Sequence, residues 1–125
     1  MGKKDNAHIF AASFTATLII LRLFLFVYPS ANFNIGQYNV HHLFTGAAIL
    51  IISTMLLVNH FSNRFVIMAA GLGSALVVDQ IFYIIATDGS DSAYFSKASL
   101  HGAITLGIAT IVLLYIFSIG KKLKS

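Results

Sequence analysis

The sequence predicts an all-α protein, a four-helix transmembrane bundle with both termini cytoplasmic. Of its 125 residues 58% are hydrophobic and only 10% are charged, far below the roughly one quarter charged that is usual for soluble domains. Eight Lys/Arg and four Asp/Glu cannot supply a polar shell for a chain of this length, so water is not its main solvent. The apolar residues fall into four stretches, near 8–28, 40–59, 64–85 and 99–119. Each is close to the roughly 20 residues that a helix needs to cross ~30 Å of hydrocarbon. Residues 1–125 are therefore expected to form a single membrane domain.

The first stretch ends at Pro29, which cannot continue a helix. It lacks a small-residue cleavage pattern and is longer than a signal-peptide core, so it is expected to remain as a span. A tight polar turn from Asn59 to Arg64 separates the second stretch from the third, and a Gly/Ser/Asp loop from Thr87 to Ser92 separates the third from the fourth. Lys3, Lys4, Arg64, Lys121, Lys122 and Lys124 then fall on one side of the membrane and Lys97 on the other. By the positive-inside rule the first side is cytoplasmic, and the loops 29–39 and 86–98 face out. The net charge of +4 follows from this asymmetry, and no nucleic-acid partner is expected. The chain contains no cysteine, which excludes disulfides, thiolate metal sites and cysteine nucleophiles.

Small residues mark the faces on which helices are expected to meet. Gly71, Ala75 and Asp79 recur at four-residue spacing on the third span, with Gly73 and Ser74 beside them. Gly46 and Ser53 on the second span, and Gly102, Thr105 and Ala109 on the fourth, suggest the same. The plain meaning of such stripes is helix packing.

The ionisable residues inside the spans are the candidates for chemistry, since each costs at least ~2.5–3.5 kcal/mol at the membrane centre unless it has a partner or a role. Arg22 and Asp79 each lie about six residues, roughly 9 Å, inside the outer ends of their spans. At that common depth they can pair, either as a structural clamp or as catalytic residues. His41, His42 and His101 begin the second and fourth spans near the same level, while His8 and His60 lie at the opposite edge and are expected to be interfacial. Of the adjacent pair, His42 shares a helix face with Gly46, Ile49 and Ser53 and is expected to face the bundle. Tyr28, Tyr38, Tyr83 and Tyr94 lie near the same rim, where tyrosines ordinarily form an interfacial belt.

The runs His41-His42-Leu43-Phe44-Thr45-Gly46, Gly71-Leu72-Gly73 leading to Asp79-Gln80, and Tyr94-Phe95-Ser96 before Ser99 resemble a pattern in an uncharacterised prokaryotic family of small four-span membrane proteins. The resemblance covers most of the chain from the second span onward and implies the four-span topology, with no activity attached. Gln80 stands where the family pattern leads one to expect an acidic residue, which counts against a pair of adjacent carboxylates.

Three functions are compatible with these residues. The first is an outward-facing His/Asp/Arg site in the membrane. His42, His101, Asp79 and His41 would supply nitrogen and oxygen ligands to a divalent metal such as zinc or copper, or Arg22 would hold the phosphate of a lipid head group. A metal-activated water with Asp79 and Arg22 as catalytic residues would then act on that head group. The second is a non-catalytic subunit of a larger membrane complex, associating with other membrane subunits or with itself through its small-residue faces, in contact with membrane lipids. The third is a b-type haem protein with His41 or His42 and His101 as axial ligands.

Overall fold

The structure, a computed structural model, describes residues 3–31 and 34–120, apart from the side chains of Lys3, Lys4, Tyr38 and Asn39. Four helices run up and down: α1 (Lys3–Val27), α2 (His42–Val58), α3 (Arg64–Ala86) and α4 (Lys97–Gly120). The loop between α1 and α2 holds a minimal antiparallel ribbon, β1 (Asn34–Ile35) and β2 (Tyr38–Asn39). A single 3₁₀ turn, Ser92–Phe95, precedes α4.

Among the described residues α1, α3 and α4 are long and apolar enough to cross a membrane, while α2 is a shorter apolar helix of 17 residues. It is trimmed at both ends relative to the expected 40–59. His41 is extended (φ −60°, ψ 142°) and stands outside the helix as its N-cap residue. At the other end His60 adopts φ +64°, Phe61 N donates to Leu56 O at 2.9 Å and His60 N to Leu57 O at 3.1 Å. This paired reversal closes the last turn with its carbonyls satisfied. Asn63 then restarts the chain, its side-chain oxygen accepting from the backbone nitrogens of Phe65 and Val66 at 2.9 and 3.1 Å, the ordinary chemistry of a helix N-cap.

The third helix is the hub: α1, α2 and α4 all pack on it, and α1 also meets α4. The reason is in its small residues. A Cβ placed on Gly46 of α2 would come within 2.7 Å of the Gly73 carbonyl oxygen, and one on Gly71 within 2.7 Å of the Phe10 carbonyl oxygen of α1. Backbones at that separation exclude any side chain, which is how small residues join helices where water supplies no hydrophobic drive. Gly46, Ser53, Gly71, Gly73 and Ala75 are buried, as their spacing predicted. On α4 the expected face is corrected in part: Gly102 is buried against Phe82, but Thr105 and Ala109 are exposed, and Ser99, Ala103 and Gly107 complete the packed stripe. Because α4 is apolar on nearly every side, its sequence carries little information about its rotation.

The start of α1 meets the end of α4, where His8 Nδ1 lies 2.9 Å from the Tyr115 hydroxyl, so the first and last described turns lie at one end of the bundle. Arg64 begins α3 at that end, and Lys97 begins α4 at the other. Of the cations used to orient the chain, Lys121, Lys122 and Lys124 lie outside the described residues.

Candidate functional site

At the end of the bundle remote from the termini, every helix contributes a polar group to one centre. Asp79 is completely buried on α3, and its Oδ1 accepts from Arg22 Nε of α1 at 2.6 Å. Its Oδ2 accepts from the Tyr94 hydroxyl of the 3₁₀ turn and lies 2.9 Å from His42 Nε2 of α2. The remaining nitrogens of Arg22 are engaged as well. Nη1 donates to the Tyr94 carbonyl oxygen at 3.1 Å, and Nη2 reaches Ser99 Oγ at 3.2 Å and the carbonyl oxygens of Ser99 and Asp79 at 3.4 Å. The guanidinium also sits 4.2 Å from the centre of the Tyr94 ring, a cation–π contact. A carboxylate and a guanidinium enclosed by protein are costly unless each lone pair and proton finds a partner. Here they do.

Sequence fixes this arrangement locally. Gly71, Ala75 and Asp79 lie one turn apart on α3, so the stripe that brings α3 against its neighbours also points Asp79 into the contact. Gln80 extends the centre sideways: its Oε1 accepts from Leu43 N at 2.9 Å. It thereby satisfies one of the free donors in the first turn of α2, where the N-cap residue His41 makes no side-chain bond. Tyr83 donates to the Gly89 carbonyl at 2.5 Å and holds the loop that returns toward Tyr94. In that loop Ser90 donates to Asp88 Oδ1 through both its backbone nitrogen and its hydroxyl, which keeps the exposed Asp88 carboxyl below its ordinary range. The Tyr94 hydroxyl is pushed up, first by burial and then by the charge of Asp79, so it remains a proton donor at neutral pH.

Beside this centre lies a pocket of about 200 Å³. Leu21, Phe24 and Leu25 of α1 form an apolar side, and His41, His42, Gln80, Tyr83 and Tyr94 form a polar one, with Asp91 at the loop. His41 and Tyr83 meet edge to face, as do His42 and Tyr94, with ring centres 6.0 Å apart in each pair.

The structure brings together Arg22, Asp79 and His42, as their depths in the sequence suggested, and sets His41 on the pocket wall. It leaves His101 apart: His101 is exposed on α4, with no hydrogen bond or ion pair to Asp79. Among the described residues no three His, Asp or Glu side chains are grouped so as to hold a metal ion. Both oxygens of Asp79 already have partners, so the zinc or copper expectation retains only His42 and His41 as open donors. For the haem expectation, His41 and His42 line the pocket but His101 does not. Tyr94 and Ser99 belong to the centre, although sequence reasoning assigned the first to the interfacial belt and gave the second no role. The only signal for them was their place in the Tyr-Phe-Ser and Ser motif ahead of the fourth span. Comparison of the chain with protein-family models, with curated proteins and with solved structures finds no match, so the geometry carries the functional reading.

Proposed function

We propose that this is a four-span integral membrane protein with both termini cytoplasmic, and that its outward end seats the polar head of a membrane amphiphile in the pocket beside His42. The observation that carries the reading is the pocket itself. Its apolar side is continuous with the lipid-facing surface of α1, where Phe24 is 51% exposed, and its polar side is rigidly backed by the Arg22–Asp79 centre. An amphiphile has that same division, with an apolar body and a few polar atoms at one end.

Four spans are supported by α2, whose 17 residues rise about 26 Å and fall at the short end of what crosses a bilayer. The orientation is supported by Arg64 at the terminal end and by the Lys/Arg asymmetry of the sequence. A residue introduced at Ser90 is expected to label from outside and one appended after Ser125 only from the cytoplasm; the reverse would invert the orientation. In this reading Arg22 and Asp79 are the support of the site, since all of their polar atoms are turned on one another, Tyr94, Ser99 and His42.

The test is photolabelling in lipid vesicles with a lipid that carries a photoreactive group next to its head, followed by mapping of the adduct. Labelling concentrated on Phe24, Tyr83 and neighbouring pocket residues, and lost when Leu21→Trp fills the space, supports the pocket. Uniform labelling along the lipid-facing helices, unchanged by Leu21→Trp, overturns it and leaves a structural subunit of a larger complex as the better account.

A further inference from the structure

The two contacts of the Asp79 carboxylate place a proton on one nitrogen of the histidine beside it. Oδ1 is paired with Arg22 at 2.6 Å, and a carboxylate paired with a guanidinium can only accept hydrogen bonds. The 2.9 Å contact between Oδ2 and His42 Nε2 therefore requires the His42 proton on Nε2. A neutral imidazole carries one ring proton, so in that form, the one populated above the ordinary histidine range, Nδ1 is left as a bare acceptor. No described group donates to Nδ1. Tyr94 stands edge-on to the ring at 84° and donates to the same Oδ2.

Exposure divides the labour within the pair. Asp79 is fully buried, whereas 21% of the His42 side chain is exposed, and of the two only His42 lines the pocket. This is the arrangement in which a buried acid orients an imidazole whose other nitrogen faces a ligand. The nitrogens of Arg22 are directed at Asp79, Tyr94 and Ser99, and neither an arginine nor a lysine is among the residues that line the pocket, so no cationic side chain is set there to receive a phosphodiester.

We infer that Asp79 is a positioning residue that holds His42 in its Nε2–H form, and that His42 Nδ1 recognises a ligand head bearing an O–H or N–H donor, a hydroxyl or an ammonium. This inference rests on the pocket reading above and names the head group that it takes.

Two measurements on the full chain in mild detergent test it. The first is the nitrogen NMR spectrum of histidine-labelled protein near pH ~8, above the ordinary histidine range, with His42 assigned by its loss in His42→Phe. An unprotonated Nδ1 in the wild type, with the preference lost or reversed in Asp79→Asn, is expected; a protonated Nδ1 in the wild type overturns the inference whether or not Asp79→Asn folds. The second is competition for the photolabel by an alkyl alcohol, an alkyl ammonium and an alkyl methyl phosphodiester of equal chain length. The alcohol and the ammonium should compete about tenfold better than the phosphodiester, the worth of one hydrogen bond, and His42→Phe should remove the difference; the stronger of the two identifies the donor. Equal competition by the phosphodiester overturns the head-group assignment and leaves the pocket standing. Failure of all three to compete overturns the pocket reading and this inference together, whatever the spectrum shows.

Discussion

At one end of the bundle Arg22, His42, Asp79, Tyr94 and Ser99, from α1, α2, α3, the 3₁₀ turn and α4, share a network in which the buried charges are matched. At the other end, where α1 begins and α4 ends, His8 and Tyr115 share an exposed bond. Close by, Asn6 Oδ1 is buried with no hydrogen-bond partner among the described residues. Both ends are made from the same helices, and both have a histidine near a tyrosine. What differs is burial of the carboxylate: a buried charge must be matched from several directions, so Asp79 draws in one group from every neighbouring segment, while an exposed His–Tyr pair at the surface makes no such demand. The end with the buried charges is thus the more closely specified one, and it also carries the pocket.

The largest effects should fall on that end. Arg22→Met leaves Asp79 buried without its cation and is expected to cost about 3–5 kcal/mol, read as a lowered unfolding temperature in detergent. The double variant Arg22→Met with Asp79→Asn should lose less than either single change, because no unmatched charge remains. His8→Ala, at the other end, should cost under about 1 kcal/mol. Additive losses in the double variant, or a His8→Ala loss as large as that of Arg22→Met, would remove the contrast.

Next in size are the helix contacts. Gly46→Ala places a methyl within 2.7 Å of the Gly73 carbonyl oxygen, a backbone atom that cannot step aside, whereas Gly107→Ala meets the flexible tip of Leu18 at 3.3 Å and the Phe14 ring at an ordinary 3.8 Å. The first is expected to cost about 1–3 kcal/mol and the second much less. Similar losses at both positions would mean that α2 does not dock on α3 as closely as drawn.

Those contacts show how far the sequence could be read. Hydropathy marks the apolar stretches because burial in lipid demands long apolar runs, and depth alone puts Arg22 and Asp79 at one level because helix rise is constant. Rotation about a helix axis is harder. For α3 the glycine and alanine stripe reveals it; for α4, apolar all round, Thr105, Ala109 and His101 suggested a face that the structure turns outward. Tyr94 was hidden for a different reason. It sits on a loop, where no period relates sequence to direction, and its approach to Asp79 is set by the Tyr83–Gly89 bond and the turn that follows.

Tyr94 also gives the charged end a dependence on pH. Its hydroxyl is raised above the ordinary tyrosine value of about 10 in the folded protein, so the folded state favours the protonated form. The resulting stability is fully present below about pH 10 and is lost as pH rises from there toward the folded value. Wild type should lose stability above pH ~10 more steeply than Tyr94→Phe, while Tyr94→Phe starts about 1 kcal/mol lower at neutral pH for its lost hydrogen bond. Parallel profiles would show that the hydroxyl is not buried against Asp79.

The smallest expected effect is a gain, and it belongs to the terminal end. His60 is the only residue other than glycine with positive φ among those described, at +64°. It holds that conformation because the reversal after α2 needs it: the bonds from His60 N to Leu57 O and from Phe61 N to Leu56 O close only when the residue after the cap is left-handed. A Cβ makes that conformation costly, and glycine removes the cost while giving the unfolded chain more freedom, so the two effects partly offset. His60→Gly should therefore raise stability by up to about 1 kcal/mol without touching the pocket 17 residues of helix away. The measurement is the unfolding temperature in detergent alongside the photolabelling yield, with the temperature expected to rise and the yield to stay constant. A lowered temperature would mean that the His60 side chain has a stabilising contact of its own, and a changed yield would mean that the two ends are coupled through α2 rather than built independently.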